Sequence, residues 1–215
     1  VLLRVPSQIA YVLEPMLRRQ ARPFAIEVLG DPYDVFAPGA NRHPLARFFR
    51  WWFPRKLRGM CQRASQAAYV TREALQRRYP CPAGMVGYSD VEITDAALVT
   101  QPRPARPVQG RQRLLFVGTL AQLYKAPDVL IDAAAVLVQE GLDLELAMVG
   151  DGQHRQELQD RAARHGLTAR VHFLGQLTAG PAVSSELDRA GLFVLPSHQE
   201  GLPRAMVEAM ARALP

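Results

Sequence analysis

The sequence predicts an α/β fold with parallel sheets, and three observations support that prediction. From residue 113 onward, short apolar runs alternate with longer helical patterns, which is typical of a parallel sheet with helices on both faces. Each apolar run is followed by glycine or proline, residues that end strands in turns. Finally, 215 residues with a 48% hydrophobic composition can bury one or two sizeable cores.

The elements of this second half follow one another regularly. In chain order the pattern predicts a strand at 114–117, a helix at about 127–140, a strand at 144–149, a helix that ends at 165, a strand at 171–175, a short helix at 185–189 and a strand at 192–195. Gly118, Gly150, Gly175 and Pro196 stand at the ends of the four strands. Because ligands bind beyond the carboxyl ends of parallel strands, these loops are expected to converge on one crevice.

The segment after the last strand has the layout of a site for a phosphorylated, hydroxyl-rich ligand. Glu200 precedes Pro203, whose fixed φ suits the first position of a helix. A helix start carries unpaired N–H groups and a partial positive charge, which favour phosphate. Glu208 follows about a turn and a half later. The alternative is a salt-bridged outer face, because Glu208 stands four residues from both Arg204 and Arg212.

Taken in order, five motifs resemble the C-terminal domain of family 4 glycosyltransferases, also called group 1 glycosyltransferases, which have the GT-B fold. The motifs are residues 116–120 followed by Lys125, residues 149–152, residues 173–175, residues 195–197, and Glu200 with Glu208. The resemblance implies a GT-B-like fold with two Rossmann-type parallel-sheet domains. The first domain is expected to be incomplete at its N-terminus and the second at its C-terminus.

The resemblance also implies a retaining glycosyltransferase, which moves a sugar from a nucleotide-diphosphate sugar to a hydroxyl acceptor in polysaccharide, lipid or glycoconjugate synthesis. By that match Lys125 neutralises the donor diphosphate, while Gly201 and Leu202 offer it backbone N–H groups. Glu200 is the implied catalytic residue and holds sugar hydroxyls, and Glu208 binds the ribose hydroxyls. The other donor-binding residues implied by the match are Gly118, Thr119, Gly150, Gly152, Phe173 and Leu174.

One position departs from the family pattern. Thr119 stands where the family usually has an arginine that contacts the diphosphate, so either another cation such as Arg204 substitutes or the hydroxyl makes a weaker contact. We expect no metal and no cofactor. A lysine and helix-start amides can stabilise the charge that grows on the leaving diphosphate, and the sequence has no Asp-x-Asp pair or His/Cys cluster of ligand spacing.

The first hundred residues resemble the later half of the family's acceptor-binding domain more loosely, mainly at residues 30–32 and 69–72. Strands are predicted at residues 1–6, 25–32 and 67–71. The proline-rich stretch near residue 105 is typical of a semi-rigid linker. The predicted organisation is therefore an acceptor-side domain at 1–100, a linker at 101–111 and a donor-binding domain at 112–215.

Charge divides the chain at the same place. Residues 1–108 hold sixteen Lys and Arg against eight Asp and Glu, whereas residues 109–215 hold ten against twelve. Interleaved arginines and aromatic residues at 42–63 indicate a surface that contacts anionic membrane lipid. The alternative is that Phe48, Phe49, Trp52 and Phe53 pack inward beneath solvated arginines. Nucleic acid is not expected as a partner, since no recognition module is present.

Several further expectations concern the whole protein. Cys61 and Cys81 form neither a disulfide framework nor a metal motif, which favours a reducing cytoplasm. The basic and aromatic segment at 42–63 adds the expectation of peripheral contact with the inner face of the membrane. No apolar run has the length of a transmembrane helix. The chain is interpreted as a fragment whose hydroxyl acceptor is either soluble or lipid-linked. A nucleotide-sugar epimerase and a non-catalytic nucleotide-sugar-binding fragment are the alternative functions.

Overall fold

The computed structural model describes residues 1–37, 43–89, 91–101, 103, 110–198 and 200–215. It divides into two compact units, the first formed by residues 1–92 with 199–202 and the second by residues 93–198 with 203–215. Each unit contains a four-stranded parallel sheet. The predicted α/β fold with two Rossmann-type parallel sheets is therefore confirmed.

The first unit has a sheet whose strands lie side by side in chain order. These strands are β1 (Leu2–Val5), β2 (Ala25–Val28), β3 (Ala67–Tyr69) and β4 (Met85–Gly87). The first three confirm predicted strands, whereas β4 was not predicted. The strand predicted at 25–32 stops at Val28, because Asp31 caps the next helix by accepting a 2.8 Å hydrogen bond from the Tyr33 N–H.

Four helices accompany this sheet, and two of them are long. They are α1 (Gln8–Arg19), α2 (Pro32–Val35), α3 (Ala46–Arg63) and α4 (Ala74–Arg78). Helix α1 begins where the Ser7 hydroxyl accepts a 3.1 Å hydrogen bond from the Ala10 N–H. Neither α1 nor α3 was assigned from the sequence, since Pro15 and Pro54 interrupt their patterns.

The core of the first unit lies on one face of its sheet. Alternate strand residues such as Val5, Ile26 and Val28 are buried there, as a period of two requires. Two acids are buried with them. Glu14 in α1 lies 2.8 Å from Arg63 in α3, and Asp31 pairs with Arg78 in α4. Each buried carboxylate thus joins two helices of this unit.

The second unit repeats the strand–helix alternation that the sequence predicted. Its strands are β5 (Gln112–Val117), β6 (Leu144–Val149), β7 (Val171–Gly175) and β8 (Leu192–Phe193), arranged in the order β7-β6-β5-β8. Its helices are α5 (Pro127–Gln139), α6 (Arg155–Arg164), α7 (Pro181–Arg189) and α8 (Arg204–Ala211). The helix predicted at 185–189 starts earlier, at Pro181, because Gly180 and Pro181 form its start. The strand predicted at 192–195 ends at Phe193.

The sheet of the second unit is covered on both faces. Phe116 and Met148 are buried in one core with residues of α5 and α6. Their strand neighbours Leu115 and Ala147 are buried in another core with residues of α7 and α8. Side chains on a strand point alternately to opposite faces, so apolar residues in succession are what a doubly covered strand needs.

The predicted linker at 101–111 lies mostly outside the described residues, which include only 101, 103, 110 and 111. Arg103 belongs to the second unit and donates to the Leu187 carbonyl at 2.9 Å and to the Arg212 carbonyl at 2.8 Å. The first stretch of the first unit ends at residue 92 and its second stretch is 199–202, while the domain bounds given from the sequence stay a prediction. Among the described residues, we find no helix with the length and hydrophobicity that a membrane span needs.

Candidate functional site

The loops that follow β5, β6 and β7 meet at the carboxyl end of the second sheet. The Gly118 N–H donates to the Val149 carbonyl at 2.9 Å, and the Leu120 N–H donates to the Asp151 carbonyl at 3.0 Å. The loop after β6 is joined in turn to the end of β7, since the Gly150 N–H donates to the Gly175 carbonyl at 2.8 Å. Backbone hydrogen bonds thus hold these three loops together.

Glycine is required where these loops approach one another. A Cβ on Gly150 would lie 1.9 Å from the Gly118 carbonyl oxygen, and one on Gly152 would lie 2.0 Å from the Ala121 nitrogen. Both glycines also have positive φ, +136° and +157° respectively. The glycines of the 149–152 motif therefore set the distance between two loops.

A cleft of about 360 Å³ lies at this edge of the sheet, entirely within the second unit. Predicted site residues Gly118, Thr119, Lys125, Gly150 and Glu208 line it. Its other lining residues are Val117, Val149, Gln176, Leu177, Ala179, Val183, Arg204 and Ala205. The cleft thus brings together five predicted residues from three separate motifs.

Lys125 ends a 3₁₀ turn, Leu123–Lys125, that leads directly into α5. The turn is tied to the chain after β8, because the His198 N–H donates to the Tyr124 carbonyl at 2.8 Å. Gly118 makes room for the lysine stem, since a Cβ at Gly118 would lie 2.5 Å from Lys125 Cδ. Gly118 at the end of β5 and Lys125, seven residues later, therefore lie next to each other in the fold.

Thr119 lines the cleft, but its hydroxyl is engaged locally. Thr119 Oγ1 accepts a 3.1 Å hydrogen bond from the Ala121 N–H. This contact stabilises the turn after β5 in the way that Ser and Thr hydroxyls commonly do. A hydroxyl also has no positive charge, so Thr119 does not supply the cation that the family pattern has at this position.

Arg204 and Glu208 form an ion pair on the first turns of α8. Arg204 Nε lies 2.8 Å from Glu208 Oε1, and the side chains are 59% and 20% exposed. The salt bridge that the sequence offered as an alternative to a site is therefore present. It is nevertheless part of the cleft, since both residues line it. Arg212 is directed elsewhere and pairs with Asp188 at 2.6 Å.

Gly152, Phe173 and Leu174 lie beside the cleft rather than in its lining as far as the described residues define it. Arg155 at the start of α6 joins their two loops. It donates to the Phe173 carbonyl at 3.1 Å and to the Asp151 carboxylate at 2.8 Å. The Gly152 N–H, and secondarily Arg155, hold the pKa of Asp151 below its usual value. The donor-binding role of these three residues stays a prediction.

Glu200, Gly201 and Leu202 lie in the segment between β8 and α8 and group with the first unit. Their predicted roles toward the donor stay predictions. Pro203 differs slightly from expectation, because it occupies the N-cap of α8 and the helix begins at Arg204. The helix start therefore lies one residue later than the proline pattern indicated.

Sequence reasoning missed the apolar wall of the cleft. Leu177 and Val183 come from the end of the β7 loop and from α7. The sequence contained a signal for Val183, because Gly180 followed by Pro181 is typical of a helix start. A helix predicted from residue 181 would have included Val183. Arg204 was considered as a substitute cation and as a salt-bridge partner of Glu208, and it lines the cleft with Lys125.

Across the described ranges, no group of three His, Cys, Asp or Glu side chains is placed to hold a metal ion. The charged side chains that line the cleft are Lys125, Arg204 and Glu208. The cleft can therefore offer two cations and one carboxylate to a ligand, and these groups suit a phosphate and a hydroxylated sugar.

Two curated proteins are similar to this sequence over most or all of its length. Protein CapJ of Staphylococcus aureus is 26% identical over 215 residues, which cover 100% of this chain and 53% of that protein. The 2-deoxystreptamine glucosyltransferase of Streptomyces kanamyceticus is 29% identical and is matched by 91% of this chain over 54% of its own length. The chain thus spans about half the length of these relatives.

Solved structures share the fold at lower identity. HepE of Anabaena, crystallised with UDP and glucose, aligns with 100% of this chain and 57% of its own at a TM-score of 0.63 and 21% identity. The pneumococcal O-GlcNAc transferase GtfA, crystallised with UDP and GlcNAc, aligns with 100% of this chain and 40% of its own at a TM-score of 0.66 and 18% identity. These likenesses confirm the GT-B-like fold class.

The family model described as glycosyl transferases group 1 matches residues 111–215. This range contains the whole of the cleft and all five motifs on which the resemblance depends. Over residues 111–215, the chain is therefore similar to the group 1 glycosyltransferases.

Proposed function

We propose that this chain carries the donor-binding part of a retaining glycosyltransferase, which transfers a sugar from a nucleotide-diphosphate sugar to a hydroxyl acceptor. One observation carries the proposal. Lys125, Arg204 and Glu208 line a single cleft at the carboxyl ends of β5 and β6. Open α/β sheets bind nucleotides at this edge.

Lys125 has the main electrostatic role in the proposal. The diphosphate gains negative charge as the glycosidic bond breaks, and a fixed cation stabilises that charge most in the transition state. Lys125 is positioned for this by its turn and by the space above Gly118. The backbone N–H groups of Gly201 and Leu202 would add hydrogen bonds to the diphosphate, and Glu200 would hold the hydroxyls of the transferred sugar. No metal or cofactor takes part in this scheme.

Arg204 and Glu208 act as a pair in the proposal. Glu208 accepts hydrogen bonds from the ribose hydroxyls, as a carboxylate does in dinucleotide-binding folds. Arg204, 2.8 Å from Glu208, orients that carboxylate and adds a second positive charge to the cleft. The positive charge of Arg204 compensates in part for the arginine that the family pattern has at position 119, where this chain has a threonine. The retaining outcome is the one implied by the family resemblance.

Support for a nucleotide sugar as substrate also comes from the similar proteins. HepE and GtfA were crystallised with UDP together with a sugar. The proposed acceptor is a hydroxyl group on a glycan, lipid or glycoconjugate, either soluble or lipid-linked. No observation favours the epimerase, because the described partner of Glu208 is an arginine and not a second carboxylate. A non-catalytic binding module shares the same cleft and is therefore an outcome of the test.

The test compares binding and turnover. Titration calorimetry with UDP, GDP, ADP and dTDP would identify the base and measure affinity for the wild-type chain and for Lys125→Gln. We expect a loss of about 10- to 100-fold for Lys125→Gln, since hydrogen bonds to charged groups contribute about 1.5–3 kcal/mol. Lys56→Gln is a matched control, because Lys56 is the other lysine of the sequence and belongs to the first unit.

The full-length protein, incubated with nucleotide sugars with and without an acceptor, distinguishes the three functions. Transfer only in the presence of acceptor supports the proposal. Interconversion of the sugar without acceptor would identify an epimerase, and affinity without either reaction would identify a binding module. Equal nucleotide affinity in the wild type and in Lys125→Gln would contradict the assigned cleft.

A further inference from the structure

Helix α3 has two faces of opposite character. Leu57, Met60 and Cys61 on its inner face are completely buried in the core of the first unit, where burial raises the pKa of the Cys61 thiol to about 12. We define the α3 outer surface as six exposed residues, namely Leu45, Arg47, Phe48, Trp51, Arg55 and Arg58. The nucleotide cleft does not include any of them.

About half of the surface of each apolar side chain in the α3 outer surface is exposed to solvent. Leu45, Phe48 and Trp51 are 54%, 50% and 51% exposed, and the Phe48 and Trp51 ring centroids are 6.0 Å apart. Beneath them Trp52 and Phe53 are partly buried in a chain of ring contacts that includes Tyr11. The predicted inward packing of Phe49, Trp52 and Phe53 is present, whereas Phe48 and Trp51 face water. Adjacent exposed aromatic rings such as Phe48 and Trp51 favour an interaction site.

The charged part of the surface is entirely positive. Residues 43–63 contain no Asp or Glu. Among the described residues, Arg47, Arg55 and Arg58 have no carboxylate within ion-pair distance, and Arg58 instead donates to the Arg78 carbonyl at 3.0 Å. Arg63 beyond the surface is neutralised by Glu14 at 2.8 Å. The outer arginines therefore present net positive charge beside the exposed rings.

We propose that the α3 outer surface binds an anionic lipid bilayer, with the helix axis parallel to the membrane plane. Aromatic side chains favour the boundary between headgroups and acyl chains, and arginines attract anionic headgroups. An amphipathic helix with basic and aromatic residues on its free face is suited to that boundary. The predicted membrane segment at 42–63 is thereby narrowed to residues 45–58, while Arg42 lies outside the described residues.

The geometry favours lipid over nucleic acid as the occupant. Binding of single-stranded nucleic acid depends on open ring faces, on which bases stack. The Arg55 guanidinium lies over the Trp51 ring at 4.5 Å from its centroid and is fixed there by a 3.1 Å hydrogen bond to the Trp51 carbonyl. One face of that ring is thus covered, whereas its edge can still enter the lipid boundary.

The first experiment measures lipid binding directly. The complete 215-residue chain would be sedimented with vesicles of phosphatidylcholine alone and with vesicles that contain 30% phosphatidylserine, at about 50 and 500 mM salt. We expect recovery with the anionic vesicles only, and a large decrease at the higher salt concentration. Equal recovery with neutral vesicles would overturn the proposal.

Matched variants locate the contact. Arg47→Glu/Arg55→Glu is expected to lower partitioning at least about 25-fold, since each arginine near an anionic surface contributes about fivefold. The control Arg22→Glu/Arg72→Glu changes the net charge equally at exposed arginines outside α3, and it should retain most of the binding. Phe48→Ser/Trp51→Ser tests the apolar part and should also lose binding. Equal loss in the control, or no loss in the aromatic variant, would contradict the assignment.

Tryptophan fluorescence tests the proposed orientation in the bound state, so it does not require a variant that loses lipid binding. Trp51 and Trp52 are the two tryptophans of the sequence, so Trp52→Phe leaves Trp51 as the single reporter. We expect its emission to shift to shorter wavelength with anionic vesicles and to be quenched by brominated acyl chains. Unquenched emission from vesicle-bound protein would overturn the proposed orientation. Competition by single-stranded RNA, with no binding to vesicles, would assign the surface to nucleic acid and overturn the lipid proposal.

Discussion

At the scale of single residues, Gly118, Gly150 and Gly152 are required for different structural reasons. Gly118 leaves space for a side chain, whereas Gly150 and Gly152 allow one backbone to approach another. A side chain can move aside and a backbone generally cannot. The same substitution at these positions is therefore expected to affect binding in one case and stability in the other.

The first prediction compares Gly118→Ala with Gly150→Ala. Gly118→Ala should displace the Lys125 stem and weaken nucleotide binding while changing stability moderately. Gly150→Ala places a Cβ 1.9 Å from a carbonyl oxygen at positive φ, so it should destabilise the second unit by several times as much, about 3 kcal/mol or more. Urea denaturation and nucleotide titration measure the two effects, and equal stability losses would contradict the distinction.

The second prediction concerns Glu208. Glu208→Ala should weaken nucleotide binding about 10- to 100-fold, because a charge-assisted hydrogen bond to the ribose is lost. It should lower stability by less than about 0.5 kcal/mol, the usual contribution of such a helical pair. The matched control is Glu73→Ala, which removes another Arg–Glu pair four residues apart, in the first unit. Unchanged affinity in Glu208→Ala would limit Glu208 to its salt bridge with Arg204.

At the scale of secondary structure, charged side chains connect helices that lie over the same face of the second sheet. Asp132 in α5 accepts from Arg161 Nε in α6 at 2.7 Å, and His165 Nε2 at the end of α6 lies 2.9 Å from the same carboxylate. The Arg161 hydrogen bond, and secondarily His165, hold the pKa of Asp132 below its usual value. This contact holds α5 against α6. The two helices follow the loops after β5 and β6, which line the cleft.

The third prediction follows from that pKa. A carboxyl whose pKa is lower in the folded state stabilises the protein above its unfolded pKa of about 3.9, and this contribution is lost as pH falls through the folded pKa. Asp132→Asn should therefore cost about 0.5–1 kcal/mol near pH 7, a modest amount because the carboxylate is 40% exposed. The difference from wild type should decrease as the pH falls below about 3.9 and disappear once the pH is below the lowered folded-state pKa of Asp132. Thermal unfolding at several pH values checks this, and a pH-independent difference would contradict it.

At the scale of the whole molecule, the two units have separate hydrophobic cores, and the cleft belongs entirely to the second. Ligands stabilise the structure that binds them. A saturating nucleotide should therefore stabilise mainly the second unit, whose residues line the cleft.

The fourth prediction is that unfolding proceeds in two transitions and that a nucleoside diphosphate raises the midpoint temperature of the second unit's transition more than that of the first. At a ligand concentration of about 100 times Kd, the stabilisation should be about 2.7 kcal/mol. Calorimetry with and without UDP measures it. Hydrogen exchange would assign the protected transition to residues of β5 and β6, and protection spread equally over β1 to β3 would contradict the prediction.

The fifth prediction concerns activity. Since this 215-residue chain spans about half the length of its relatives, we expect it to bind the nucleotide but to transfer sugar slowly or not at all. A radiolabelled donor assay would detect transfer. Turnover within the usual enzyme range of about 1–10³ per second would contradict this expectation.

The sequence by itself determined the order of strands and helices in the second unit, the positions of the strand-end loops and five residues of the cleft. Local signals are sufficient there, because apolar periodicity and turn residues depend on neighbours along the chain. The first unit was less predictable. Glu14 interrupts the apolar pattern of α1 and becomes tolerable only because Arg63, 49 residues away, reaches it.

The tertiary structure alone decided which surfaces became sites. The sequence left open whether Glu208 belongs to a salt bridge or to a ligand site, and folding places the bridge inside the cleft. It also left open which rings of α3 turn inward, and burial of Leu57 and Met60 leaves Phe48 and Trp51 outside. These outcomes depend on contacts between residues far apart in the chain, whose energies arise only when the elements pack together.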